Sequence, residues 1–312
     1  MDRSRILYSC NICGLCEELC PVGINIGELI LDLRRDFSKG ENLPPFFLLV
    51  MKNQEWMKSN FYLIRSDPEN EECDRVFFPG CILSGYSPFL VTAAHRYLRE
   101  KLGSTGIFLS CCGSPIRLLG KQNAFERHLN ELESRIKKVG ASEVITACPE
   151  CYRIFKQNSS LEAKNIYKVI DELGLPQFER GENIFSLHDP CPSRHEKNLR
   201  ESVRGILAKM KCQIEEMDLS QDKTRCCGSG GLVPFSNFSL FEEQLKQRAD
   251  EAGFDIISYC ASCIIAFVSL GKSSIHLLDL VFNPDLEKAR LTQSKISDVR
   301  KNQLKIRSVY EE

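Results

Sequence analysis

Apolar and polar residues follow one another along this chain in a recurring order. A short apolar run comes first, then a break at proline, glycine or cysteine, then a stretch with helical spacing. Val76-Phe77-Phe78 is a strand signal that runs into Pro79-Gly80-Cys81, and residues 87–102 then read as a helix. Ile107-Phe108-Leu109 is the next strand, followed by a helix over about 122–138 with Phe125, Leu129, Leu132 and Ile136 on one face. Val144 to Ala147 is a third strand, ahead of a helical Tyr152 to Asn158. The order then restarts. Residues 184–187 read as a strand, 199–210 as a helix, 212–217 as a strand, 240–251 as a helix and 255–258 as a strand. This is an internal repeat of roughly 110 residues, a domain-sized period rather than that of a solenoid. Strands alternating with helices predict an α/β fold with a parallel sheet, used twice.

The flanks read differently. Ile26, Leu29, Ile30, Leu33 and Phe37 recur at helical spacing before Lys39-Gly40. Residues 41–74 combine Pro44-Pro45, an apolar run from Phe46 to Met51 and the polar Glu69-Asn70-Glu71-Glu72, and read as a linker packed on the body. After Pro284 comes a charged helix in which Thr292, Val299 and Ile306 are seven apart, as are Ala289 and Ile296. It is either a weak seam for a partner or a surface helix docked on its own chain. The chain thus divides into 1–40, 41–74, 75–180, 181–283 and 284–312.

Composition narrows the function. The 312 residues carry 42 acidic and 41 basic side chains, a formal charge of −1, so no general attraction to nucleic acid or a membrane surface is expected. No apolar run approaches the roughly 20 residues of a membrane span, and the opening Met1 to Ser9 lacks the apolar core of a signal peptide. Sixteen cysteines in so long a chain do not fit a small disulfide-stapled domain. A reducing cytoplasm and metal-bound thiolates are the expectation.

The cysteines are ordered. Cys10-x2-Cys13-x2-Cys16-x3-Cys20-Pro21 is the spacing that wraps a cubane iron–sulfur cluster, with Gly14 allowing a close backbone approach. In two-cluster ferredoxins the fourth cysteine of such a run serves the other cluster. Here there is one run, so Cys10, Cys13 and Cys16 share a site whose fourth ligand is Cys20, Cys73 or a partner's cysteine. Cys73 reads as a spare thiol before it reads as a ligand. Ten further cysteines form two sets: Cys81, Cys111, Cys112, Cys148 and Cys151, then Cys191, Cys226, Cys227, Cys260 and Cys263. Each set has a lone cysteine, an adjacent pair followed by glycine, and a C-x2-C. Most follow a strand, at the carboxyl edge where open α/β sheets present ligands. Structural zinc takes four ligands and leaves a fifth over; neighbouring thiolates suit a larger object with several irons, the glycine giving it room. Gly228-Ser229-Gly230-Gly231 lacks a phosphate-loop register and reads as a turn around that cluster. His188, ahead of Pro190-Cys191, is either a proton donor or a hydrogen-bonded strand-end residue.

Residues 75–283 resemble the tandem cysteine-rich CCG domains of heterodisulfide reductase, and the N-terminal ferredoxin-like module makes the arrangement similar to that enzyme's fused D subunit. It is also similar to the iron–sulfur subunits of glycolate oxidase and anaerobic glycerol-3-phosphate dehydrogenase. The resemblance implies an α/β fold of two parallel-sheet CCG domains related by a pseudo-twofold, preceded by a small helical module. It implies one cubane [4Fe–4S] cluster at the N-terminus and a non-cubane [4Fe–4S] cluster in each five-cysteine set. It implies reductive cleavage of a disulfide, each sulfur being captured by one cluster. The alternatives are an electron-transfer subunit without disulfide chemistry and a zinc-stabilised interaction module. No nucleotide or flavin motif appears, so the electron donor is expected to be a flavin- or iron–sulfur-containing partner subunit. A membrane cytochrome or quinone-linked subunit would hold the hetero-oligomer at the inner face of the membrane.

Overall fold

The computed structural model describes residues 3–40, 43–66, 72–176, 183–287 and 296–311. Two sheets form its centre. The first has strand order β1-β3-β2-β4-β5, with β1 Leu63–Arg65, β2 Arg75–Phe78, β3 Thr105–Leu109, β4 Glu143–Thr146 and β5 Glu162–Asn165. The second has order β7-β6-β8-β9, with β6 Ile184–His188, β7 Gln213–Glu216, β8 Ile256–Ser258 and β9 Ser274–His276. Apart from β1, which runs antiparallel to β3, every pairing is parallel. Strands covered by helices on both faces read as near-continuous apolar runs. β3 and β4 are accordingly buried at every position.

The two sheets share one plan: β3-β2-β4-β5 corresponds to β7-β6-β8-β9. Their helices pack reciprocally. The Ile166–Leu173 helix of the first half lies on Lys197–Lys209 of the second, and Leu277–Phe282 of the second lies on Pro88–Leu102 of the first. Pro149–Asn158 meets the turn Cys191–Ser193, while Ala261–Ser269 meets the Cys81–Tyr86 helix. Exchanging the halves reproduces these contacts, the signature of a pseudo-twofold. One continuous apolar core, including Tyr167, Ile170, Leu199, Val203, Tyr259 and Leu278, crosses the junction.

The segment 43–66 contributes structure of its own. Pro44-Pro45 starts a Pro45–Trp56 helix, where a proline in the first turn costs no hydrogen bond. It continues as a π-helical turn, Met57–Phe61, and ends as strand β1 on the first sheet. The Ile26–Phe37 helix forms over the expected residues, but it is rotated. Leu29 and Leu33 face solvent at 52% and 44% exposure, and Gly27, Leu31 and Arg34 face inward. The C-terminal helix Val299–Glu311 docks on the first half, against the Cys81–Tyr86 and Pro88–Leu102 helices. Thr292 and Ala289 of the expected seam lie outside the described residues. No helix among the described residues is long and apolar enough to cross a membrane.

Candidate metal centres

The cysteine sets are built where strands end. β2, β3 and β4 finish side by side, and the turns beyond them carry Cys81, Cys111-Cys112 and Cys148. β6 and β8 do the same for Cys191 and Cys260, and Cys226-Cys227 arrive on the loop after β7. In the first set Cys81 meets Cys111, Cys111 meets Cys112, Cys112 meets Cys151, and Cys151 meets Cys148. In the second, Cys191 Sγ is 3.8 Å from Cys226 Sγ and Cys227 Sγ is 3.2 Å from Cys263 Sγ. Cys226 also lies against Cys227, and Cys263 against Cys260.

These sulfurs cannot all ionise together. Neighbouring thiols hold Cys111 and Cys227 well below the ordinary range, and the same contacts push Cys81, Cys112, Cys151 and Cys263 up. Like charges in a buried space repel. A soft cation inside each set would let the thiolates coexist, which is what such a donor set is suited to hold.

Gly113 and Gly228 have φ of 83° and 89°, a region that glycine alone enters without strain. A Cβ at Gly113 would lie 2.7 Å from His128 Cδ2, and one at Gly228 would lie 3.0 Å from Phe241 O. The glycine after each cysteine pair therefore lets the helix behind it pack close, while its own N–H faces the first sulfur of the pair. Gly230 and Gly231 make room for another segment of the chain. They cradle the main chain of Cys10-Asn11, where a Cβ on Gly231 would overlap the Cys10 carbonyl. With its amide oriented so that no like groups face each other, Asn11 donates to Gly228 O at 2.9 Å and Gly230 O at 3.1 Å.

The N-terminal run is thus seated on the second set. Cys13 meets Cys226, and one proton shared between them draws Cys13 down to about 6 and pushes Cys226 up. Two buried arginines clamp the run. Arg34 donates to Leu7 O, Cys10 O, Leu118 O and Gly231 O at 2.7–3.1 Å, and its guanidinium lies 4.4 Å from the Tyr8 ring centre. Arg194 donates to Cys13 O at 2.9 Å and to Thr224 O at 2.5 Å. Neither has a carboxylate partner among the described residues, so each brings a buried positive charge to the thiols. Cys16 is exposed, and Cys10 feels the charges of Cys13 and Cys16. Cys20 ends the Leu15–Leu19 helix, and the amides of Ile24, Val22 and Gly23 lower its pKa.

Cys73, one of the possible fourth ligands, is instead packed as core. It precedes β2 while Cys81 follows it, so it stands at the opposite end of the sheet from the sets. Its neighbours there are Val139 O, 3.6 Å from its sulfur, and Gly106. His188 is not placed to protonate an incoming substrate. It is fully buried, burial lowers its pKa, and its Nδ1 accepts from Arg248 Nε at 3.1 Å. Its ligand atom lies within 4.8 Å of the Cys227 and Cys263 sulfurs.

The halves also meet between the sets. The Tyr167 hydroxyl lies 3.0 Å from both Ala147 O and Tyr259 O, the residues just before Cys148 and Cys260. One phenol ties the two C-x2-C turns together. Arg153, paired with Glu150 at 2.9 Å, feels the charges of both Cys191 and Cys112.

Comparison with known families places this geometry. The CCG cysteine-rich domain matches residues 75–156 and again 185–267. The chain belongs to the CCG cysteine-rich domain family. Among its relatives is an uncharacterized iron–sulfur protein of Methanocaldococcus jannaschii, 26% identical over 281 residues that cover 82% of this CCG chain and 56% of that protein. Another is the D subunit of the dihydromethanophenazine:CoB–CoM heterodisulfide reductase of Methanosarcina acetivorans, 26% identical over 292 residues covering 82% of this chain and 71% of that one. The CCG chain therefore spans little more than half the length of the first of these relatives. A crystal structure of a hypothetical protein from Helicobacter pylori matches the fold with a TM-score of 0.59 at 10% identity, over 91% of this chain and 61% of that one.

Proposed function

We propose that this chain is an iron–sulfur oxidoreductase that receives electrons at its N-terminal run and delivers them through two five-cysteine sites to a disulfide. Cys10, Cys13 and Cys16, completed by Cys20 or by a partner's cysteine, hold a cubane [4Fe–4S] cluster. Each five-cysteine set holds a non-cubane [4Fe–4S] cluster. Bound there, the clusters would supply one-electron transfer. The observation that carries this reading is the contact of Cys13 with Cys226, which joins the N-terminal run to the second set without intervening protein. Relatives named as an iron–sulfur protein and as part of a heterodisulfide reductase support it.

The chain's own residues do the rest. Arg34 and Arg194 offset the negative charge of thiolate-bound clusters, and Tyr167 fixes the spacing of the two C-x2-C turns. Cys81, Cys148 and Cys191 are the half-buried members of the two sets, the side from which a disulfide approaches. Its reduction takes two electrons and two protons, breaks one S–S bond and forms two thiols. The electrons come from a flavin- or iron–sulfur-containing partner subunit, with a membrane cytochrome or quinone-linked subunit in the same assembly. Leu19, Val22, Ile24, Leu29 and Leu33, all exposed around the N-terminal run, offer a surface for it.

A second reading, an electron carrier with no disulfide substrate, draws on Arg153, Glu150 and Tyr167, which occupy the region between the sets. Iron and acid-labile sulfide in anaerobically purified protein test the common part. Cys112→Ala and Cys227→Ala should each lose one cluster's worth of iron, and Cys73→Ala should lose none. Thiol-dependent paramagnetic signals in the oxidised protein and reduction of a disulfide by the dithionite-reduced protein separate the two readings. If both are absent, the carrier stands and the disulfide reductase falls.

A further inference from the structure

His188, Cys227 and Cys263 look like three ligands of one metal ion, and the hydrogen bonding around His188 argues otherwise. His188 ends β6, with its ring edge-on to Phe267 at 5.2 Å between centroids. Behind it stands Arg248, fully buried on the Phe238–Asp250 helix and held by Glu251. An arginine Nε–H is always a donor. Its 3.1 Å bond to Nδ1 therefore fixes that nitrogen as the acceptor, and the proton of the neutral ring sits on Nε2. Nε2 is buried and has no hydrogen-bond partner among the described residues. The Cys227 and Cys263 sulfurs lie within 4.8 Å of the ring's ligand nitrogen, and the Cys227 thiol is set against it. A protonated Nε2 has no lone pair to give to iron.

The first half lacks this device. Phe78 ends β2 where His188 ends β6: Phe78 is in register with Thr146 of β4, and His188 with Ser258 of β8. The Phe78 ring packs on Phe108 and Phe155 and donates nothing. The first half does have a buried histidine near its set, His128, but its Nε2 is 2.8 Å from the main-chain oxygen of Cys111 rather than aimed at a sulfur.

We infer that His188, oriented by Arg248, is a positioning residue that donates its Nε2 proton to the Cys227 sulfur and holds the second site at a higher reduction potential than the first. Hydrogen bonds to ligating sulfur withdraw charge from a cluster and ease its reduction. Electrons passed from Cys13 to Cys226 thus collect at the second site before the first. This rests on the reading that both sets hold iron–sulfur clusters. Iron and sulfide content of the wild-type protein test that reading separately.

The experiment is a paramagnetic-resonance redox titration of anaerobic holoprotein. His188→Phe, which copies Phe78, should lower the midpoint potential of one non-cubane cluster, leaving the other clusters' potentials and the iron content at wild-type values. His188→Gln, which keeps an N–H, should fall between the two. If His188→Phe does not fold, Arg248→Met keeps the ring and releases its orientation, and should lower the same potential. Loss of one cluster's iron in His188→Phe would make His188 a ligand and overturn the inference. Unchanged potentials in the variant that folds would overturn it equally.

Discussion

The two cysteine sets share a strand order, a left-handed glycine and a chain of touching sulfurs, yet different parts of the polypeptide close them. Over the second lies the N-terminal run, seated on Gly230-Gly231 and bringing more cysteines to Cys226. Over the first lies the C-terminal helix Val299–Glu311, which contains no cysteine. There Gln303 Nε2 donates to Cys81 O at 2.7 Å and Asn302 Nδ2 to Gly85 O at 2.8 Å, while Val299 fills the space that a side chain at Gly85 would need. Duplication supplied two equivalent ligand sets; the chain ends made them unequal. On the proposed function, one is wired onward and the other is capped.

The largest expected effect comes from breaking the wired side. Gly231→Val places a Cβ into the Cys10 carbonyl at a φ of 62°, so steric overlap adds to left-handed strain, roughly 2–5 kcal/mol together. The N-terminal module should undock and become the first site of limited proteolysis, with the capped side intact. Gly23→Ala is the control, since φ is 65° there and nothing lies within 4 Å. Equal protease resistance of Gly231→Val and wild type would show that the seat does not hold the run.

What the sequence made legible divides along the same line. Central strands were readable because parallel strands buried on both faces are near-continuous apolar runs, and the cysteines followed them. The edge strands β5 and β9 were not: Glu162-Ala163-Lys164-Asn165 has no apolar alternation, and Ser274–His276 is three residues long. Membership of the two sets was readable because their spacing repeats. Their surroundings were not, since Arg248 reaches His188 across 60 residues and Gln303 reaches Cys81 across 222. Gly27, Leu31 and Arg34 do share a helical face. That pattern could have revealed Arg34 as buried, but the more apolar stripe through Leu29 and Leu33 outweighed it.

A smaller effect sharpens the contrast between the halves themselves. Asp279, third in the Leu277–Phe282 helix, accepts from Tyr86 of the first half at 2.7 Å, whereas Lys168, third in the matching Ile166–Leu173 helix, is exposed. Burial raises Asp279 from 3.8 to about 6. A raised acid stabilises the fold below its unfolded value and loses that contribution as pH rises through 6, about 3 kcal/mol in all. Buried His276, lowered to about 3, works in the opposite sense and loses stability as pH falls below 6.5. Asp279→Asn should therefore gain on the wild type between pH 4.5 and pH 7, because only the Asp279 contribution is removed. Urea midpoints across that range measure the difference. A gap that does not change with pH would mean that Asp279 is solvated.

The smallest effect tests the capped side. Gln303 is fully buried, and its amide oxygen has no partner among the described residues, so Gln303→Ala removes one good hydrogen bond along with one unsatisfied acceptor. The net cost should be about 1–2 kcal/mol, because Cys81 O loses its partner. Its consequence should be local. With Cys81 O released, the end of the Cys81–Tyr86 helix opens more often, and a ferrous chelator should strip iron from one cluster several-fold faster than in the wild type. Gly231→Val should leave that cluster at its wild-type rate and expose the others. If Gln303→Ala instead speeds loss from every cluster alike, the C-terminal helix stabilises the whole molecule rather than the first set, and the division into a wired site and a capped one fails.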